Sequence, residues 1–257
     1  MNLNTSFANI DTVVLHDADT AGVDVTSMTA AQADGLHFTG STGALNVIAS
    51  AGSQTLFGTS QDDVFHGSNA GGLIAGRDVV DLGNTAGADT IKWSADANQM
   101  KVLNFAALAD DQTSQNDVLD FSLLSGLHNP NGSVTYEALV TDADANPSPA
   151  ITAKIVGLTD LYAGDTAATV ESLFKNSGAF LNNLVNVGTA EAPADIVFLI
   201  ANNAAGGDVN VWHWVDSRGA TLLAPSDGNV QAAELTLLGT LSGVHKEDLL
   251  NINIHLV

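Results

Sequence analysis

Aspartate and glycine recur between residues 40 and 93 at a spacing that suits chemistry. Cut into nines from Gly40, the stretch reads GSTGALNVI, ASAGSQTLF, GTSQDDVFH, GSNAGGLIA, GRDVVDLGN, TAGADTIKW. Glycine opens blocks at Gly40, Gly58, Gly67 and Gly76. The eighth position is apolar at Val47, Leu56, Phe65 and Ile74, and the apolar residue slips one place earlier in the last two blocks, to Leu82 and Ile91. Asp63 and Asp81 hold the sixth position of their blocks, and Asp89 the fifth of the last.

Such a period implies a tight turn followed by a short strand, repeated, with two nonapeptides making one coil. Glycines at Gly58, Gly67, Gly76 and Gly87 suit turns that need positive φ, which a Cβ opposes. The apolar eighth residue points inward and stacks on its equivalent two blocks away. Asp63 and Asp81, 18 residues apart, are expected one above the other on the same edge. Stacked turns bring carboxylates and backbone carbonyls together, the hard oxygens that calcium takes six to eight of. Asp62, Asp63, Asp78, Asp81 and Asp89 are the candidate ligands.

With these residues in place, the chain resembles the RTX family, whose consensus is GGxGxDxUx with U a large apolar residue. The best matches are GTSQDDVFHG and LGNTAGADTIKW. Within the six blocks paired glycines stand only at Gly71-Gly72, and Leu45, Gln54 and Gly72 replace the sixth-position Asp, so the resemblance implies a few calcium sites. RTX rolls are often closed by a segment of the form I-x-D-F followed by D-x-L-D-F/L-S. VLNF (102–105) and NDVLDFSLL (116–124) are similar, with Asn104 where Asp is commoner. Asp117 and Asp120 are there either calcium ligands or caps of a turn. The tail is similar to the uncleaved export signal of type I-secreted proteins, through DVNVWHWVD, AELTLLGTL and LLNINIHLV in that order. The resemblance spans about residues 40–257 and implies calcium as cofactor and the type I secretion machinery as partner.

The composition agrees with acid placed in turns. Lys and Arg total 7 against 29 Asp and Glu, a net charge of −22, with about five Asp for each Glu. That surface repels nucleic acid and anionic lipid, so neither is expected as a partner. Cysteine is absent, which excludes disulfides, thiolate metal sites and cysteine nucleophiles. The opening MNLNTSFANIDTVV has neither a basic n-region nor an apolar h-region, so no Sec signal is expected there. No apolar run approaches 18 residues, so no transmembrane helix is expected. The repeat-like start points to a piece of a longer chain.

These residues must be positioned by short strands. Runs at 10–15, 23–26 and 36–39 read as upstream solenoid coils separated by DADTAG and TAAQADG turns, and a further strand is expected at 100–104. Beyond the closing segment, 133–140 and 151–156 read as strands between Pro/Asn/Asp/Gly turns. Asp165 is the expected N-cap of a helix over 166–187, whose Val170, Leu173, Phe174, Leu181, Leu184 and Val185 fall on one face. A hairpin follows, 196–201 and 209–215, with Trp212 and Trp214 on one face of its second strand. That pair fills a core or, alternatively, contacts a cell-surface glycan. The closing run alternates, with Ile252, Ile254 and Leu256 on one face.

The expected fold class is therefore mostly β, a parallel β-roll or β-solenoid with calcium in its turns, capped by a C-terminal β-rich module with one helix. Three regions follow: upstream coils at 1–39, the nonapeptide roll and closing segment at 40–127, and the cap with secretion signal at 128–257. No H-E-x-x-H, G-x-S-x-G or phosphate-binding loop occurs, and His66 and His213 read as packing residues in strands. Asp62-Asp63 and Asp110-Asp111 are sequence neighbours, an arrangement unsuited to a glycosidase pair. The expected function is a non-enzymatic, calcium-dependent structural module of a type I-secreted bacterial surface protein, an S-layer subunit or adhesin that could self-associate into a lattice. The alternatives are the RTX and secretion domain of a secreted hydrolase, or a carbohydrate- or surface-binding module.

Overall fold

The computed structural model describes residues 12–15, 23–24, 37–40, 44–48, 53–66, 78–83, 87–94, 99–107, 116–124, 127, 136–139, 154–162, 166–174, 195–202, 207–215, 230–245, 248–249 and 252–255. The described chain is mostly strand, arranged in largely parallel sheets, with one short helix. It divides into two compact units. One holds residues 1–124, 238–244 and 251–257, and the other holds 125–237 and 245–250.

The first unit is built from strands of two to four residues, joined by the last two strands of the chain. In order they are β1 (Thr12–Leu15), β2 (Val23–Asp24), β3 (His37–Gly40), β4 (Asn46–Ile48), β5 (Thr55–Phe57), β6 (Val64–His66), β7 (Val79–Asp81), β8 (Thr90–Lys92), β9 (Met100–Leu103) and β10 (Val118–Asp120). From the end of the sequence come β15 (Leu235–Ser242) and β16 (Asn253–His255). Consecutive strands alternate between two sheets. One carries β1, β3, β5, β7, β9 and β15, the other β2, β4, β6, β8, β10 and β16. Every neighbouring pair is parallel and in register.

The three-residue strands β4 to β8 each show a buried middle residue between two half-buried ones, the period-two alternation of a strand with one inward face. In-register pairing lines these middle residues up. Val47, Phe65, Ile91 and Leu119 form one inner row, and Leu56, Val80, Val102 and Leu241 the other, all with no exposed surface. Burying each such side chain stabilises by about 1.5–3 kcal/mol, which strands this short need, since isolated pairs are marginal in water. Trp93, stacked on Phe121 with centroids 6.3 Å apart, extends the core past the strand ends.

The second unit contains β11 (Tyr136–Leu139), β12 (Ile155–Tyr162), β13 (Asp195–Asn202) and β14 (Val209–Val215). β11, β12 and β13 are parallel, and β13 and β14 form the expected antiparallel hairpin. The single described helix, α1 (Ala167–Leu173), packs Val170 with Phe198, Trp212 and Trp214 in one apolar cluster. Its N-cap is Thr166 in place of Asp165: the Thr166 hydroxyl accepts the Thr169 N–H, and Thr169 returns a bond to the Thr166 backbone. This is a capping box made with threonine where Glu is usual. The rest of the expected 166–187 helix, with Leu181, Leu184 and Val185, lies outside the described residues.

β3 spans residues 39 and 40 and pairs with β5 in parallel. β16 and most of β15 group with the first unit. Ile91→Ala, in the middle of an inner row, is expected to cost about 2–5 kcal/mol, while Gln61→Ala on the surface should stay within about 0.5 kcal/mol. Gly239→Ala would place a methyl group against the Met100 carbonyl and the Trp93 ring and should cost about 1–3 kcal/mol. Urea unfolding of the three variants measures all of this.

Candidate functional site

The acidic residues singled out by the repeat gather where the strands begin. In the sheet of β4, β6, β8 and β10, the residue just before each strand is Leu45, Asp63, Asp89 or Asp117. All three aspartates are buried. Asp63 Oδ1 accepts the Leu45 N–H at 2.6 Å, 18 residues away. Asp89 Oδ1 accepts the Asp63 N–H at 2.9 Å, 26 residues away, and Asp117 Oδ1 the Asp89 N–H at 2.9 Å, 28 residues away. The backbone runs alongside: Val64, Thr90 and Val118 donate to the carbonyls of Leu45, Asp63 and Asp89, each at 2.7 Å. A column of carboxylates thus crosses the sheet, each bonded to the strand start before it.

Two of the remaining oxygens in the column are also engaged. Asp63 Oδ2 accepts the Thr59 N–H, and the Thr59 hydroxyl adds a further bond at 3.0 Å to Oδ1. Asp117 Oδ2 accepts the Ala106 N–H at 2.7 Å. In the other sheet Asp78, the residue before β7, repeats the pattern by accepting the Gln54 N–H at 2.9 Å over 24 residues. Its Oδ2 is buried without a hydrogen-bond partner. Beyond Asp117 the column stops, because the residue in line with it before β16 is the apolar Ile252. The Asp117 N–H goes instead to the Ala106 carbonyl at 3.0 Å.

Asp81 does not stack on Asp63. It ends β7 in the opposite sheet, between Phe57 of β5 and Leu103 of β9. The nonapeptide count holds for the 18-residue step but not for the longer ones, so the sixth-position role passes to Asp78. Asp81 Oδ1 accepts from the Gly83 N–H at 3.0 Å and from the Asn104 amide at 2.6 Å, a donation an Asp at 104 in its charged form could not make. Asp62 is exposed and accepts the Ala88 N–H at 2.9 Å. Asp120 closes β10 with a turn bond from the Ser122 N–H at 2.8 Å and an ion pair to Lys92 at 3.3 Å, with His255 Nδ1 at 3.7 Å.

The glycines also work differently from the expectation. Gly58 and Gly87 are not in the left-handed region, and the positive-φ glycines among the described residues are Gly83, Gly207 and Gly243. A Cβ on Gly58 would meet the Leu82 backbone, and one on Gly87 the Gln61 carbonyl, so both serve close approach between stacked turns. Gly67 and Gly76 lie outside the described residues. Trp212 and Trp214 share a face, as expected, but that face is core. Trp214 has no exposed surface, Trp212 keeps only 4%, and the Trp214 indole N–H reaches Glu234 at 3.0 Å. Apolar burial against Phe198 and α1 removes them as a glycan platform. His213 is buried against Asp195 across the hairpin, a partner that the spacing did not reveal.

Electrostatics sets the column apart. Burial pushes Asp89 up to about 7, with the neighbouring charges of Asp117, Asp63 and Asp62 adding to it against the Asp63 N–H. Burial likewise raises Asp78 to about 7, and raises Asp63 and Asp117 against their N–H donors. Asp120 is the opposite case: burial pushes it up, but the Ser122 hydrogen bonds and Lys92 overcome this and hold it below the usual carboxylate value.

The calcium implied by the resemblance requires six to eight converging oxygens. Among the described residues no three acidic or histidine side chains gather into such a group, and the column carboxylates turn their bonded oxygens on N–H donors. They fit as hydrogen-bond acceptors and form no cation cage there. Also among the described residues, no helix is long and apolar enough to cross a membrane. No protein-family model, curated protein or solved structure matches the chain.

A pH dependence follows. A carboxyl whose folded pKa is raised keeps its proton where the unfolded chain, near 3.9, has lost it. The folded state then binds more protons, so stability falls with rising pH. The contribution of the column is full below about pH 4 and lost as pH climbs to about 7. Thermal melts without divalent cations should show the midpoint falling across that window and levelling above it. Asp89→Asn, which carries no charge, should flatten the fall. A midpoint that rises from pH 4 to 7 in both proteins would contradict this assignment.

Proposed function

We propose that the chain is a non-catalytic structural module of a type I-secreted bacterial surface protein, an S-layer subunit or adhesin, working outside the cell. The observation that carries the reading is the repeated triplet at the strand starts: Asp63-Val64-Phe65, Asp89-Thr90-Ile91 and Asp117-Val118-Leu119 hold equivalent positions in paired parallel strands. The triplet resembles the D-x-U core of the RTX repeat, and it supports reading the alternating strands as a β-roll. Joined to a chain without cysteine and with a net charge of −22, it supports a protein that crosses an export channel unfolded and folds without oxidation.

The C-terminal strands fit the same reading. β15 adds to β9 in one sheet of the first unit, and β16 adds to β10 as the short edge strand of the other, and a short edge strand is one way to limit edge-to-edge pairing. In the unfolded chain the same segment serves as the export address. Calcium enters as the counter-ion that the resemblance implies for so acidic a chain, and self-association into a lattice is the role that an extended stack of coils suits.

Two measurements test this. In a bacterium carrying a type I exporter, the full chain should reach the medium, and a chain lacking residues 251–257 should stay inside. Equal export of both would remove the address from the tail. Millimolar calcium added to the chelated protein should raise its melting temperature, with magnesium at equal concentration as the control for simple screening. No shift, or one that magnesium matches, would remove the specific cation from the reading.

A further inference from the structure

We infer that the buried aspartates of the D-x-U triplets act as staples between coils, and that the column stands without a bound cation. Three features carry this. Each column carboxylate accepts the backbone N–H at the start of the neighbouring strand, across 18, 26 and 28 residues. Asp78 does the same in the other sheet across 24. The intervening segments differ in length, yet the contact is the same, so it belongs to the strand start and owes nothing to a fixed turn.

The donor is also the group that needs help. The N–H of the residue before each strand lies at the mouth of the parallel ladder, where the next strand offers no carbonyl to it. Left bare in the interior, that group would cost the full penalty of an unmade bond. The aspartate one coil along reaches back and satisfies it, while its own carbonyl accepts the ladder bond that continues the sheet. The end of the column bears this out. Where Ile252 stands in line in place of an aspartate, the Asp117 N–H is taken by a backbone carbonyl, that of Ala106.

A staple requires an oxygen acceptor and no charge. A protonated carboxyl or an amide serves it, whereas a calcium ligand at the same place must be ionised. Asparagine therefore separates the two roles, because it keeps the carbonyl oxygen and the shape while losing the charge. The staple role is independent of the export reading, which can fail without affecting it.

The test is residue-resolved hydrogen exchange on the full chain in EDTA, for the wild type, Asp89→Asn and Asp89→Ala, repeated with calcium chloride. The wild type should be folded in EDTA with the Asp63 amide protected. Asp89→Asn should keep that protection. Asp89→Ala should speed exchange of the Asp63 amide by about tenfold or more, as expected for losing a hydrogen bond to a charged or polar acceptor, while the Leu45 amide, held by Asp63, changes less. If Asp89→Ala lowers overall stability, Asp63→Ala supplies a second reading, with the Leu45 amide as its target. A wild type unfolded in EDTA and restored by calcium, with Asp89→Asn not restored, would make these residues ion ligands and overturn the inference. So would an Asp63 amide that exchanges equally in all three proteins.

Discussion

Parallel, in-register pairing between every second strand is the constraint on which the first unit depends. It places like residues in line: apolar residues over apolar residues in the two inner rows, and aspartate over aspartate at the strand starts. The first stacking is favourable without further provision, because dispersion and burial reward it. The second is not, since carboxylates in a row repel and pay for burial. The fold accommodates the row by giving each carboxylate an N–H from the adjacent strand start. The strained electrostatics of Asp78 and Asp89 is what remains after those bonds are made.

How much of this the sequence carries depends on what is counted. The short Asp-x-apolar pattern is local, and in the structure Asp63, Asp78, Asp89 and Asp117 each stand just before a strand, with Phe65, Val80, Ile91 and Leu119 buried. The nonapeptide period is not local. It presumes equal loops, and the steps lengthen from 18 to 24, 26 and 28 residues. Counting therefore put Asp81 in the place of Asp78. The sheet registers only the residues nearest each strand, so loop length is free to vary and a fixed period loses its meaning after one coil.

Other misreadings share a cause, namely partners that are distant in sequence. Glycine at 58 and 87 looks like a turn residue, but its small size answers to the backbone of Leu82 and Gln61, which lie far from it in sequence. Two tryptophans on one strand face resemble an open platform until α1 and β13 cover them. The pairing of His213 with Asp195 depends on the hairpin register, which alternation predicts only in part. What was legible came from patterns within about nine residues, and what was not came from contacts between segments distant in sequence. Among the described residues, the second unit follows the same division: its hairpin was readable, while the capping of α1 by Thr166 in place of Asp165 was decided by one residue of local geometry.

The replacement of aspartate by Ile252 at the end of the column has a consequence of its own. A row of identical strand starts has no intrinsic length, because each offers the next an N–H to bind and a carbonyl to extend from. It behaves like a growing polymer whose chain end stays live. Ile252 supplies no acceptor, and Ala106 takes the last N–H by a detour outside the column. The side chain at one position thus ends the row of aspartate bonds, giving the column a first and a last member while the sheet itself runs one strand further, through β16.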